Sequence, residues 1–173
     1  SVPVDHRKGD QLKPESPKVK PNVKVPGFDD EGLFVFDSNA TLLYLGEKTG
    51  KFMPPNTPAS RAQMLSWLMF IATGLGPYSG QAVHFKDYAP KGMDYAHNRY
   101  QYEAHRHYKV LDDHLASSRY MVGDTYTIVA LAFSGWARMA PRVSGESGVA
   151  EAAHSTRRPA EPPGGPAGAH PPG

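Results

Sequence analysis

The 173-residue sequence predicts an α/β unit followed by an all-helical unit. Three observations carry this. "VPGFDDEGLFVF" at 25–36 sets two short apolar runs on either side of a turn-forming tetrapeptide, the pattern of a hairpin. "MPPNTP" at 53–58 interrupts the chain with three prolines. Ala96, Tyr100, Ala104, Tyr108, Leu111 and Leu115 then recur at steps of three or four, the period of one helix face. The expected division is an α/β unit at 1–52, a linker at 53–58, a helical unit at 59–140 and a tail at 141–173.

Taken in order, "SVPVD" at 1–5 reads as a strand that ends in the charged "HRKGD". From Gln11 to Lys24, prolines at 14, 17 and 21 exclude a long helix and leave a loop. In the hairpin, Gly32 supplies the positive φ that a tight turn needs. Ser38 is expected to cap a helix that ends at Gly50. Thr57 and Pro58 offer a cap and a first helical residue for "ASRAQMLSWLMFIATGL", which "GLGP" at 74–77 should bend or end. Thr127 caps a last helix, "IVALAFSGWARMA", with Tyr126 and Leu131 placed as a hydrophobic staple. Residues 141–173 hold no aromatic residue and no Leu, Ile or Met, so they are expected to be disordered.

Composition removes several function classes. The net charge of +2 gives no electrostatic reason to expect nucleic acid, and the lysines and arginines before residue 25 have no interleaved aromatics. Without cysteine there is no disulfide, thiolate metal site or cysteine nucleophile, which fits a reducing, cytoplasmic setting. The longest strongly apolar run, "WLMFIA" at 67–72, is far short of the roughly 20 residues a membrane span needs. His97, His105, His107 and His114 crowd one helix, but no pair stands at i,i+4. No metal site is expected, and the four read as a solvated face. No phosphate-binding glycine loop or hydrolase elbow occurs.

The stretch "VPGFDDEGLFVFDSNATLLYLGEKTGKFMP" resembles the glutathione transferase family from its strand-leading proline to its interdomain linker. "SWLMFIATGLGPYSGQAVHF", "YAHNRYQYEAHRHYKVLDDHL" and "YMVGDTYTIVALAFSGWA" are similar to the helical domain of the bacterial nu class, a disulfide-reductase type. The resemblance covers roughly residues 1 to 140. It implies a partial thioredoxin-like unit that begins at the family's second strand, a helical transferase domain, glutathione as substrate or cosubstrate, and a homodimer.

The same resemblance implies site residues. In the family the bond before the strand-leading proline is cis, which turns the backbone of Val25 toward the cysteinyl part of glutathione. Asp37 and Ser38 match the acid-Ser pair that grips the γ-glutamyl end, with Asp where the nu class has Glu. Without the family they read as plain helix capping. Gln11 and Lys24 match positions facing the glycyl carboxylate, and Arg99 is a candidate contact from the helical domain. His84 matches a position near the substrate opening. The thiol-activating hydroxyl of the family belongs to a segment before the second strand, so no catalytic residue is nominated, and Tyr44 and Tyr78 read as packing. Where the family has S-I-A-D at the last helix start, this sequence has "TIVA", with Ala130 in place of the capping Asp. Two functions stay open: a transferase that moves the glutathione thiol to electrophiles or reduces disulfides, and a non-catalytic fragment or relic that keeps the scaffold and weak glutathione binding.

Overall fold

The computed structural model describes residues 25–144, so the expected strand at 1–5, the loop from Gln11 to Lys24 and the tail past 144 lie outside the described residues. The element order is β1 (Gly27–Asp30), β2 (Leu33–Phe36), α1 (Ser38–Thr49), α2 (Pro58–Phe70), a π-helical turn (Ile71–Leu75), α3 (Gly76–Asp87), α4 (Asp94–Ser117), α5 (Ile128–Ala137) and α6 (Ala140–Ser144).

β1 and β2 pair antiparallel, with Gly27 opposite Phe36 and Asp30 opposite Leu33. Glu31 (φ 55°) and Gly32 (φ 91°) connect them. Two successive positive φ values give the tight turn whose twist suits a hairpin, and glycine removes the Cβ clash at the second. Asp29 Oδ1 accepts from the Gly32 N–H at 3.0 Å. α1 follows and ends as expected at Gly50 (φ 68°), whose N–H donates to Gly46 O at 2.8 Å. Its start differs from expectation. Asp37, not Ser38, is the cap, because residue 37 has the non-helical backbone and its carboxylate accepts from the Asn39 and Ala40 N–H groups.

The backbone just before the linker is tied to the start of α5, since the Ile128 N–H donates to Phe52 O at 2.8 Å. α2 starts as the sequence indicates: Thr57 Oγ1 accepts from the Ser60 N–H at 3.1 Å, and Pro58 occupies the first turn, where its missing N–H costs nothing. "GLGP" does not end the helix. Pro77 has no N–H to offer the turn before it, and local π-helical winding lets the chain pass from α2 into α3 without a break.

Met64, Leu68, Ile71 and Leu75 pack with Ala104, Tyr108 and Leu111 of α4 and with Ile128, Val129 and Phe133 of α5, all of them fully buried. The Tyr108 hydroxyl donates to Trp136 O at 2.8 Å and accepts from Ser79 Oγ at 3.3 Å, and burial raises its pKa. Among the described residues no helix is long and apolar enough to cross a membrane.

Two expectations need correction. His107 is buried, its ring between Phe70 and Tyr78 with centroids 4.9 and 5.1 Å away and its Nδ1–H donating to Glu103 O at 2.7 Å. His114 packs on Trp67 and its Nε2–H donates to Met121 O at 3.2 Å. Both stand one turn of helix from Leu111, at i−4 and i+3, and so share its inward face. Helical structure also passes the expected limit at 140. α6 seats Ala140 and Val143 in the core, and Arg142 pairs with Asp87 at 2.7 Å. One valine and one ion pair suffice to dock a single turn, which composition averaged over the whole tail obscured.

Candidate functional site

The hairpin register places the candidate residues. Gly27 opposite Phe36 is the outermost pair, so Val25 and Pro26 leave one strand where Asp37 and Ser38 leave the other. The Val25–Pro26 peptide is cis, and Val25 is half-exposed. Of the residues singled out from sequence, Val25, Asp37 and Ser38 thus meet at the open end of one hairpin. Gln11 and Lys24 lie outside the described residues.

Asp37 joins β2 to α1 in a conformation, φ 73° and ψ 135°, that costs a non-glycine residue about 1–3 kcal/mol. Its own hydrogen bonds hold it there. Oδ1 accepts from the N–H groups of Asn39 (2.8 Å) and Ala40 (3.2 Å), while its carbonyl accepts from Thr41 N–H (2.9 Å) and Thr41 Oγ1 (2.8 Å). Oδ2 has no hydrogen-bond partner among the described residues, and neither does the N–H or the hydroxyl of exposed Ser38. A helix N-terminus with a spare N–H and hydroxyl receives an anion, and a carboxylate oxygen beside it receives a cation. The α-amino-acid end of a peptide carries both.

Arg99 is placed differently. Its Nη1 donates to Glu103 Oε1 at 2.6 Å on its own helix, and Glu103 Oε2 takes Arg106 at 2.9 Å. These two guanidinium groups hold the Glu103 carboxyl below its ordinary value, and Glu103 in turn raises Arg99. Among the described residues no contact joins Arg99 to Val25, Asp37 or Ser38. His84 stacks on Tyr88, and Tyr78 packs against His107 and Tyr100.

One cluster escaped the sequence reading. Asp30 Oδ2, at the end of β1, accepts from the Tyr44 hydroxyl at 2.6 Å and from Lys48 Nζ. Lys48 and Tyr44 hold the Asp30 carboxyl below its ordinary value, and Asp30 raises both partners. The available signal was the i,i+4 spacing of Tyr44 and Lys48, which puts both on one face of α1. A cleft of about 290 Å³ lies at the other end of α1, lined by Met53, Pro54, Pro55 and Met64 and rimmed by the Glu47–Arg61 ion pair. From Ser38 to Gly50 the helix rises roughly 18 Å, so this cleft is separate from the hairpin end. Among the described residues no group of three or more His, Cys, Asp or Glu converges on a metal position.

No family model matches the chain. The disulfide-bond oxidoreductase YfcG of Escherichia coli is 42% identical over 142 residues, which cover 78% of this chain and 66% of that protein. A solved glutathione transferase family member from Pseudomonas fluorescens, with two glutathione bound, matches with a TM-score of 0.80 at 32% identity, over 88% of this chain and 73% of that one. The chain belongs to the glutathione transferase family. A second solved transferase, from Pseudomonas putida with one glutathione disulfide bound per subunit, matches with a TM-score of 0.80 at 32% identity, over 90% of this chain and 75% of that one. The chain spans about half to two thirds of the length of the curated relatives it matches. In transferase terms, the hairpin and α1 belong to the thioredoxin-like unit and the helices that follow belong to the helical one.

Proposed function

We propose that this chain holds glutathione at the open end of its hairpin, with the cysteinyl backbone beside Val25 and the γ-glutamyl end between Asp37 and Ser38. The observation that carries the reading is the N–H and hydroxyl of Ser38 and the Oδ2 of Asp37, side by side and without hydrogen-bond partners among the described residues, a matched receptor for a carboxylate and an ammonium. Gln11 and Lys24 take the glycyl carboxylate, and Arg99, which pairs with Glu103 on α4, is the candidate contact from the helical unit. The complete protein is a nu-type transferase in which the glutathione thiol attacks a disulfide or an electrophile, as the name of the YfcG relative suggests. It works as a cytoplasmic homodimer, a reading that rests on the family resemblance and on the lack of cysteine. Residues 1–52 carry the glutathione contacts, 53–58 link, and the helical unit begins at 59.

One observation favours a weaker second reading. The Asp37 carboxylate already caps its own helix through Oδ1, and it is a methylene shorter than the Glu of the nu-class pattern. A chain with this grip is a non-catalytic family member or fragment with low glutathione affinity.

Calorimetric titration with glutathione and glutathione disulfide tests both. Binding by the folded chain, weakened about tenfold or more in Ser38→Ala, is expected from the loss of a charge-assisted hydrogen bond. A cooperative melt with no binding heat for either ligand would sink both readings.

A further inference from the structure

The two faces of the proposed glutathione site belong to different elements. Val25 lies two residues before β1, whereas Ser38 is the first residue of α1. A single residue, Asp37, joins β2 to α1. The Asp37 hydrogen bonds hold its own φ and ψ, but at a one-residue junction a small torsional change swings the far end of the hairpin, so contacts made further away secure the angle. α1 itself is well seated: Gly46 is buried so tightly that a Cβ there would lie 2.7 Å from Met53 Sδ and 3.2 Å from Ile128 Cγ2. The hairpin is therefore the part whose angle must be set.

The Asp30 cluster sits where it can set it. Asp30 is the last residue of β1, next to the turn and at the far end of the hairpin from Val25. Tyr44 and Lys48 stand roughly 9 and 15 Å along the α1 axis from Ser38, so their bonds to Asp30 lay the hairpin lengthwise on the helix. The Asp30 side chain is only 16% exposed, and the Phe28 ring packs against the Tyr44 ring with centroids 6.5 Å apart. Both donors converge on one carboxylate oxygen, an arrangement of charge-assisted hydrogen bonds that strengthens and directs the contact. We propose that Asp30, Tyr44 and Lys48 are positioning residues that clamp the hairpin along α1 and thereby set the spacing between Val25 and Ser38 that glutathione must bridge. The inference rests on the glutathione reading above and adds to it residues that touch no ligand.

A clamp of this kind is felt by a ligand that spans both elements and not by one that uses α1 alone. The test compares glutathione with L-glutamine, which presents a γ-glutamyl end without a cysteinyl backbone, in the full chain. Tyr44→Phe removes only the hydroxyl and keeps the ring against Phe28, and Lys48→Met removes the second donor. Lys109→Met serves as the control, since it breaks an exposed i,i+4 pair with Asp113 on α4. The clamp variants should lose about tenfold in glutathione affinity, the size expected for one strong hydrogen bond, while glutamine affinity and the control stay unchanged. Amide hydrogen exchange should also rise across 27–36 in the clamp variants and stay unchanged across 58–87. Equal weakening of glutathione and glutamine, or unaltered glutathione binding, overturns the proposal. Should the parent chain bind no glutathione, the function reading fails by itself. The exchange arm then decides the clamp: faster hairpin exchange in Tyr44→Phe supports it, and unaltered exchange refutes it.

Discussion

Asp37 Oδ1 lies 2.8 Å from the Asn39 N–H, so the acid that we propose as a glutathione contact caps the helix that it introduces. Capping and ligand holding were competing readings of the sequence, yet the two carboxylate oxygens divide them. Oδ1 serves the helix, and Oδ2 has no hydrogen-bond partner among the described residues.

This division separates two substitutions. Asp37→Asn keeps the capping oxygen and loses the charge, so its stability should fall little while glutathione affinity falls several-fold. Asp37→Ala loses the cap as well, which costs about 1 kcal/mol of stability. Urea unfolding and glutathione titration of the two variants read both effects. Equal stability losses would show that Oδ1 contributes nothing as a cap.

Thr127 should behave as a cap without a function. Its Oγ1 is buried and has no hydrogen-bond partner among the described residues, and Ala130 supplies no carboxylate to complete the box. Thr127→Val is therefore expected to leave stability unchanged or raise it by about 1 kcal/mol, opposite in sign to the loss of a working cap. A melting temperature that falls by several degrees would mean that the hydroxyl is engaged.

Gly74→Ala tests the contact between the π-helical turn and α4. A Cβ at Gly74 would lie 2.2 Å from His107 Nε2, so overpacking should cost about 1–3 kcal/mol, although alanine is the better helix former. In a His107→Ala background the same change should cost much less, and a double-mutant cycle by chemical denaturation measures the difference. Additive effects would mean that the ring yields easily.

The Glu103 ion pairs give the fold an acid dependence. Arg99 and Arg106 hold the folded Glu103 carboxyl below its ordinary 4.5. A depressed folded value means that the pairs contribute fully above 4.5 and lose their contribution as pH falls through the folded value. The stability gap between the parent chain and Glu103→Gln should be constant from neutral pH to about 5 and close at more acidic pH. A gap that widens with acid would reverse the assignment.

Local chemistry made much of this fold legible. The hairpin turn at Gly32, the Gly50 stop and the Thr57–Pro58 start each follow from one residue's backbone preference, and all three form as read. The inward histidines were harder, because His107 and His114 had to be compared with Leu111 and not with one another. The cap falls on Asp37 and not on Ser38 because the helix starts one residue earlier than capping propensity indicates, and the backbone angles of residue 37 decide between two adjacent residues that can both cap. At the site, Val25, Asp37 and Ser38 came from the family resemblance, which a propensity argument alone would not have supplied. The Asp30–Tyr44–Lys48 cluster depends on how the hairpin lies on α1, a tertiary relation with no short-range signature.

The most direct test of the central claim is an amide NMR titration of the full chain with glutathione. If glutathione lies at the hairpin's open end, shift changes should concentrate at Val25, Ser38, Asn39 and Ala40 and be small around Gly50, Met53 and Arg61. Changes centred on Gly50, Met53 and Arg61, with Ser38 and Val25 silent, would contradict it.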